Sequence, residues 1–482
     1  MGRDTPSPPT KPLPALSLTR RRPSPSLAKR GQAQQARQRE PTTSELAVRM
    51  RPMQGDARTH GLWEASAAPT PRTTPLRETI AVDVAVIGAG YTGLSAALHL
   101  AEGARSVAVL EAAEIGFGAS GRNVGLVNAG MWVLPDELPK RLGATYGERL
   151  LHALGNAPSL VFDLVAKHGI ECEAVRHGTL HCAAGASGLT GLRERAAQWE
   201  RLGAPVRLLD ATETAARTGT SAYAGSLLDL RAGTIQPLAY ARGLARAAIA
   251  AGAAIHTASP AVAVEDRGTA WRLQVEGGGQ VDANWVIVAT NAYTLPVGPW
   301  SGLASELVRM PYFNMATQPL PEDLRKAILP GREGAWDTRT ILSSFRLDAS
   351  GRLVFGSIGA LRSPGHAAHR GWGRRALAKL FPALGKLDFE HEWYGWIGTT
   401  ADALPRFHQL ARNVLSFSGY NGRGIGTGTV FGRELARLVQ GEVGVDDLVL
   451  PDRTIVPARW RAGREAFYEV GAQVAHAVGA RW

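Results

Sequence analysis

The segment ETIAVDVAVIGAGYTGLSAALHLAEG, residues 78–103, constrains this chain more than any other stretch. Its first part is a β-branched, apolar run that ends in glycine, the pattern of a strand buried on both faces. Leu94, Ala97, Leu98 and Ala101 then recur at helical spacing, with Gly103 as a natural stop. SVAVLE (106–111) is a second buried strand, so the segment predicts a strand–turn–helix–strand unit. Gly88, Gly90 and Gly93 form a G-x-G-x-x-G turn. The first glycine permits the tight turn, the second lets a pyrophosphate approach the backbone, and the third lets helix pack on strand. Tyr91 and Thr92 open the helix at the phosphate. Glu111, 18 residues after Gly93, stands at the tip of the second strand, where a carboxylate accepts ribose hydroxyls and repels a 2′-phosphate. The unit predicts dinucleotide binding.

Two further glycine-rich segments bear on which dinucleotide. GFGASGRNVG (116–125) follows Glu111 within five residues, where a nicotinamide-binding unit runs into another helix. It can fold under a cofactor with backbone donors and Arg122, or be a plain surface loop. SGYNGRGIGTGTVFGRELARLVQG (418–441) packs six glycines between 419 and 432 ahead of a helix. Two segments that admit close backbone approach, far apart in one chain, suit a long cofactor such as FAD. The second also puts helix N–H groups where a reduced ring would carry negative charge.

Taken together, DVAVIGAGYTGLSAALHLAE, LEAAEIGFGASGRNVG, AGTIQPLAYARGLARAA, VIVATNAYT, SGYNGRGIGTGTVFGREL and the earlier LWEASAAP are specific. The chain resembles the D-amino-acid oxidase (DAO) superfamily of FAD-dependent oxidoreductases over about residues 61–440, and within it the branch containing gamma-glutamylputrescine oxidase. The resemblance implies an α/β fold: a discontinuous Rossmann-type FAD-binding domain (79–165, 233–300 and 390–440) with an inserted β-rich α+β substrate domain (166–232 and 301–389). Residues 441–482 are left as a C-terminal extension. By matching motifs, Gly88, Gly90, Tyr91, Thr92, Gly93 and Glu111 would hold the ADP half, with Val262 and Ala289 on the adenine side. Ser120, Gly121, Arg122 and Asn123 would run along the pyrophosphate and ring, and Gly422, Arg423 and Gly424 would approach the isoalloxazine. Val124-Gly125 departs from the Gly-Gly usual in the branch, which puts the ring-side pocket in question. Some relatives attach FAD to a cysteine just before the last glycine-rich segment. No cysteine follows Cys182, so non-covalent FAD is expected, with His408 the residual attachment candidate.

The implied reaction oxidises a C–N bond of an amine or amino acid by hydride transfer to flavin N5, with hydrolysis of the imine. Since the cofactor carries the hard step, no catalytic acid, base or metal cluster is expected, and none stands out. Substrate contacts are weaker readings. Tyr394, flanked by Trp393 and Trp396, alternates along a strand, a pattern that serves a core as readily as a pocket. Arg346 could clamp a carboxylate or be a solvated edge residue, and Asn314 is a polar position in a substrate-domain strand. Electrons would pass to O2 or, in the reading as a D-amino-acid dehydrogenase, to an electron carrier.

Charge excludes little at first sight, since the net value is +12. Residues 1–75, however, hold 13 Lys/Arg against five Asp/Glu, and the remaining 407 residues carry only +4. A basic tail, rich in Pro, Ser, Arg and Gln, is expected to be disordered. It has no apolar run for a secretory or twin-arginine signal, and Met50 or Met53 offer alternative starts. The balanced body argues against a nucleic-acid-binding flavoprotein. Cys172 and Cys182 form neither a zinc pattern nor a disulfide framework. No run approaches the ~18 apolar residues of a membrane span. A cytoplasmic enzyme is expected, and the C-terminal FYEVGAQVAHAVGARW is expected to pack on the body.

Overall fold

The structure, a computed structural model, describes residues 60–479 except 297, 363 and 387. Thr79–Ile87 is the central strand of the first sheet, pairing in parallel with Val107–Leu110 on one side and Gln280–Val288 on the other. Val84, Ala85 and Val86 are buried on both faces, as the continuous apolar run requires. Ala254–His256 extends this sheet beyond Val107–Leu110, and Val414–Ser418 extends it beyond Gln280–Val288, both in parallel. Arg406–Ala411 closes one edge antiparallel, and the antiparallel strands Ala261–Asp266 and Trp271–Val275 branch from Gln280–Val288. Helices Tyr91–Glu102, Pro237–Ala250 and Gly424–Val439 supply much of the adjoining apolar core.

The second sheet has eight strands, in the order 391–399, 308–319, 352–358, 343–347, 334–337, 179–182, 226–229, 206–209. All pairs are antiparallel except 334–337 with 179–182. This is a mixed α/β molecule with a Rossmann-type sheet and a second, mostly antiparallel sheet, as the sequence implies. One boundary differs: His391–Thr399, expected with the cofactor domain, pairs along its whole length with Val308–Pro319 of the second sheet. Its alternating burial belongs to a sheet with unlike faces, not to a parallel strand buried on both.

Order also begins earlier than residue 79. Leu62–Ser66 is a short helix that buries Leu62 and Trp63. The Trp63 indole donates to the Asn123 carbonyl at 2.8 Å, and Arg242 holds Glu64 through two 2.8 Å hydrogen bonds. Composition averaged over the tail hides this anchor. The remainder of the expected tail, residues 1–59, lies outside the described residues.

Candidate functional site

A cavity of about 660 Å3 runs from the first glycine turn, past the Gly116–Gly125 loop, to the face of the second sheet. Gly88, Gly90, Tyr91 and Thr92 line one end. Gly88 has φ +104°, which an L side chain avoids, and a side chain at Gly90 would start 3.0 Å from Ser120 Oγ. Gly93 lies behind this wall: a Cβ there would sit 1.9 Å from the Gly88 carbonyl oxygen, so the helix touches the turn only because residue 93 has none. Glu111 lines the cavity and also braces the turn, accepting from Ala89 N at 2.8 Å and Ala113 N at 2.9 Å. Burial pushes its carboxyl above the usual range, and those two backbone N–H groups oppose the shift. Each oxygen keeps a further lone pair for a ribose hydroxyl.

The Gly116–Gly125 loop is built around its polar residues. Ser120 Oγ accepts from Tyr91 N at 3.0 Å, and the Asn123 amide donates to Ala119 and Ser120 carbonyls and accepts from Gly125 N. The Arg122 guanidinium lies 4.5 Å over the Phe117 ring, and its carbonyl accepts from Asn314 Nδ2 and Trp393 Nε1, both at 3.0 Å. The loop is thus clamped onto the second sheet from below while its upper side stays open to the cavity. Gly422 and Gly424 approach from the opposite wall, at the start of helix Gly424–Val439. First-turn N–H groups of a helix have no intrahelical acceptor and favour negative charge. Gly428 and Gly432 serve a different end: a Cβ at Gly432 would meet Thr92 O at 2.4 Å, so these glycines let two helices cross closely. A cradle that any Cβ would fill, two helix starts and a carboxylate at the strand tip fit a long dinucleotide such as FAD.

The other end of the cavity is walled by aromatic and cationic side chains. Tyr312 and Ser344 share a 2.6 Å hydroxyl hydrogen bond, and burial raises the Tyr312 phenol above its ordinary range. Arg339 is held by Asp337 at 3.0 Å. Arg423 is buried between the rings of Trp132, 5.0 Å away, and Trp336, 4.9 Å away. It donates to the Ala129 carbonyl at 3.0 Å and has no carboxylate within ion-pair distance among the described residues. Burial, with Arg195 nearby, lowers its pKa to about 9. The Trp336 indole N–H is buried and has no hydrogen-bond partner among the described residues. Among the described residues the cavity's own carboxylates are Glu111 and Glu276, the latter near Pro260 and Ala261 at the cofactor end.

Ala289, Ser120, Arg122, Asn123 and Arg423 all line the cavity with the residues above, but several expected residues do not. Gly93 and Gly121 act behind the wall, where a Cβ on Gly121 would strike Gly116 O at 2.4 Å. Val262 sits on an edge strand, and its neighbours Pro260 and Ala261 reach the cavity instead. Of the substrate candidates, Arg346, Asn314 and Tyr394 do not line the cavity, whereas Trp396, beside Tyr394, does. Arg346 is fully buried, donating to the Ile235 and Leu347 carbonyls beside Glu173, so it is neither a clamp nor a solvated edge residue. Asn314 is buried under the Gly116–Gly125 loop, and Tyr394 packs against the aromatic core on the far face of its strand. His408 is buried, bonded to Glu306 at 2.8 Å, and does not reach the cavity; neither does either cysteine, both of which are free. Trp132, Trp336, Tyr312, Arg339 and Tyr468 were missed, because isolated aromatic and basic residues carry no spacing signal until the fold collects them.

The family profile described as "DAO: FAD dependent oxidoreductase" matches residues 83–438. The chain is 33% identical over 388 residues to gamma-glutamylputrescine oxidoreductase of Escherichia coli (strain K12), covering 80% of this chain and 89% of that one. It is 32% identical over 372 residues to the probable oxidoreductase OrdL of Rhizobium meliloti (strain 1021), covering 76% and 85%. The crystal structure of glycine oxidase from Geobacillus kaustophilus shares the fold at a TM-score of 0.63 and 22% identity, covering 78% of this chain and all of that one.

Proposed function

Because this chain belongs to the DAO family of FAD-dependent oxidoreductases, we propose that it oxidises the C–N bond of an amine that bears a carboxylate elsewhere in the same molecule. The C–N bond becomes an imine, and water then cleaves the imine to a carbonyl compound and the departing amine. Bound FAD supplies the two-electron acceptor for the hydride that leaves the carbon. Gly88, Gly90, Tyr91, Thr92 and Glu111 would hold its ADP half, and Arg122, Asn123, Gly422 and Gly424 would lie toward its ring, without a covalent link.

The single observation that carries the substrate class is Arg423. An unpaired guanidinium in a buried wall is costly to leave without a counter-ion, and the indole N–H of Trp336 beside it lacks an acceptor. A substrate carboxylate satisfies both, and the two indoles exclude water around that charge-assisted pair. Among the described residues no carboxylate lines this end of the cavity to receive a second ammonium group that has no carboxylate beside it in its own molecule, which disfavours plain diamines. The Tyr312–Ser344 hydroxyl pair offers an acceptor to the reacting amine, and a neutral phenol there adds no charge that would favour the amine's protonated form.

The test is an anaerobic titration of the holoenzyme, followed by flavin absorbance. A γ-glutamyl amide of putrescine retains a free carboxylate and is the first compound to try, beside glycine and other amino acids; putrescine is the control. Bleaching by carboxylate-bearing amines and not by putrescine is expected. Bleaching by putrescine alone would sink the carboxylate reading. Readmitting air separates an oxidase, whose flavin recolours at once, from an enzyme that needs an electron carrier.

A further inference from the structure

The C-terminal helix Arg461–Val478 lies beyond the part of the chain that the family profile matches. It packs on the body, as its sequence suggests, but largely with its polar side. Glu465 accepts from Arg309 N at 3.0 Å and pairs with Arg461 at 3.1 Å, while Glu469 takes the Arg362 guanidinium at 2.7 Å. His476 is buried against Trp372 and His369, and Tyr468 reaches the cavity wall. The outward side is apolar. Phe467 is 72% exposed, Val470 56%, Val474 60% and Val478 56%, and Trp460 at the helix start is 85% exposed. Positions 467, 474 and 478 fall on one side of a 3.6-residue helix, with 470 at its margin and Trp460 just before the first turn.

This inverts the ordinary surface helix, which buries its apolar stripe and shows its charges to water. A contiguous apolar face of this kind marks an interaction site. Its charged border says with what. Arg459 and Arg464 flank Trp460 along the chain, and neither has a carboxylate within ion-pair distance among the described residues, whereas Arg461 and both helix glutamates are already paired. A second copy meeting this face with its own would set the same unpaired arginines against one another, and the helix glutamates are already taken. Residues 1–59 hold 12 Lys/Arg against four Asp/Glu and few apolar side chains, so they complement neither the charge nor the stripe. Apolar side chains in line, a tryptophan at the edge and unpaired arginines beside it are what an anionic membrane surface receives: the stripe enters the acyl boundary, and the guanidinium groups meet phosphate headgroups. No helix among the described residues is long and apolar enough to cross a membrane; a helix lying in the interface needs no such length.

We propose that the Arg461–Val478 helix docks this enzyme peripherally on anionic lipid, with Phe467, Val470, Val474 and Val478 inserted and Arg459 and Arg464 on the headgroups. The test is co-sedimentation of full-length holoenzyme with phosphatidylglycerol-containing vesicles and with pure phosphatidylcholine vesicles. Binding to the anionic vesicles at least tenfold tighter, and weakened by salt, is expected. The double variant Phe467→Ser, Val474→Ser should lose tenfold or more in affinity at unchanged flavin spectrum and thermal midpoint, and Arg459→Gln should lose about fivefold. Since the basic N-terminal residues could also bind lipid, Arg20, Arg21 and Arg22→Gln is the counter-variant. Binding that follows those three and ignores Phe467 and Val474 overturns the proposal, as does no binding to anionic vesicles at low salt. A stable dimer abolished by Phe467→Ser would overturn it in favour of a second copy. A polarity-sensitive dye on Val470→Cys, expected to shift to the blue on anionic vesicles, reads the same contact without perturbing the stripe's other residues; an unshifted dye on bound protein overturns the proposal too.

Discussion

The two ends of the cavity are made of different material. The cofactor end is largely backbone: glycines at 88, 90, 422 and 424, helix starts, and Glu111, a carboxylate that also braces the turn. The substrate end is side chains drawn from distant parts of the chain, among them Trp132, Tyr312, Trp336, Arg423 and Tyr468. A backbone site demands absent side chains at fixed spacing, because a pyrophosphate needs a set of N–H groups in one geometry. A side-chain site only demands that some residue of the right chemistry arrive, from whatever element passes by. The first constraint is local and rigid; the second is distributed and free to drift.

The comparison breaks most directly at glycine. Gly93→Val puts a branched side chain where even a Cβ lies 1.9 Å from a backbone oxygen, so helix and turn must part. We expect destabilisation of more than about 3 kcal/mol, beyond what typical substitutions cost, and a protein that is insoluble or free of FAD. Gly424→Ala is its counterpart. The nearest atom to an added Cβ there is a Tyr420 ring carbon at 3.7 Å, ordinary contact distance. That variant should keep its thermal midpoint in the apoprotein and bind FAD more weakly. Flavin content and unfolding curves measured on both variants decide it, and a Gly93→Val enzyme with full flavin would undo the account of the first turn.

At the substrate end the largest effect should come from Arg423→Met. Losing a charge-assisted pair with a substrate carboxylate costs about 2–3 kcal/mol, or roughly 30- to 150-fold in KM or in the Kd of a non-oxidisable carboxylate. An isosteric amine without the carboxylate should not feel the change. Trp336→Phe, which removes only a neutral donor, should cost about tenfold or less. If Arg423→Met instead shifts the flavin potential and leaves carboxylate affinity intact, Arg423 serves the ring.

These differences explain what was legible in the sequence. The glycine turn, Glu111 and the Arg122-Asn123 loop could be read because their spacing is the chemistry. Arg346 illustrates the opposite. Its position in a strand suggested a clamp or an exposed edge, yet it is buried under Trp63, 5.6 Å from that ring, and bonded to backbone carbonyls. Nothing local announces this, because the covering residue lies some 280 positions away in a segment that composition alone assigns to a disordered tail. Arg423 sits in the one motif that serves both ends, so its place was legible while its role was not. Arg346→Met should therefore lower stability by about 3 kcal/mol, as removal of a buried, hydrogen-bonded charge does, with KM unchanged; a raised KM at unchanged stability would restore it to the substrate site.

The smallest effect, and the one that separates the two ends without mutation, is acid. His369 and His476 face each other through their Nδ1 atoms at 2.8 Å, where the C-terminal helix meets helix Gly365–Leu380. Burial lowers His369 to about 4, against Glu469 nearby, and lowers His476 to about 3, with His369 and Arg375 adding to the shift. Both are neutral in the folded protein above that range, and an unfolded histidine titrates near 6.5. Between these limits the unfolded state binds protons that the folded state does not, so stability falls as pH falls below about 6.5, by up to about 1.4 kcal/mol per pH unit for each histidine. Above 6.5 the contribution is constant. Asp388 and Glu64, held near 2 by their arginine and histidine partners, stay ionised in the folded state across this range and contribute the same sign of slope only nearer pH 4. The glycine turn itself has no such group, since Glu111 is shifted upward and acid does not penalise it; the helix it opens carries a single one, His99, which burial also lowers. Lowering pH from 7 to 5 should thus loosen the C-terminal helix and the substrate sheet before FAD is released. Proteolysis at the helix, followed alongside flavin fluorescence, reads the order of events, and His476→Gln should reduce but not abolish the slope of stability against pH, because His99, His181 and His391 are lowered by burial too. Release of flavin before cleavage at the helix would mean that the cofactor end, not the substrate end, is the acid-labile part.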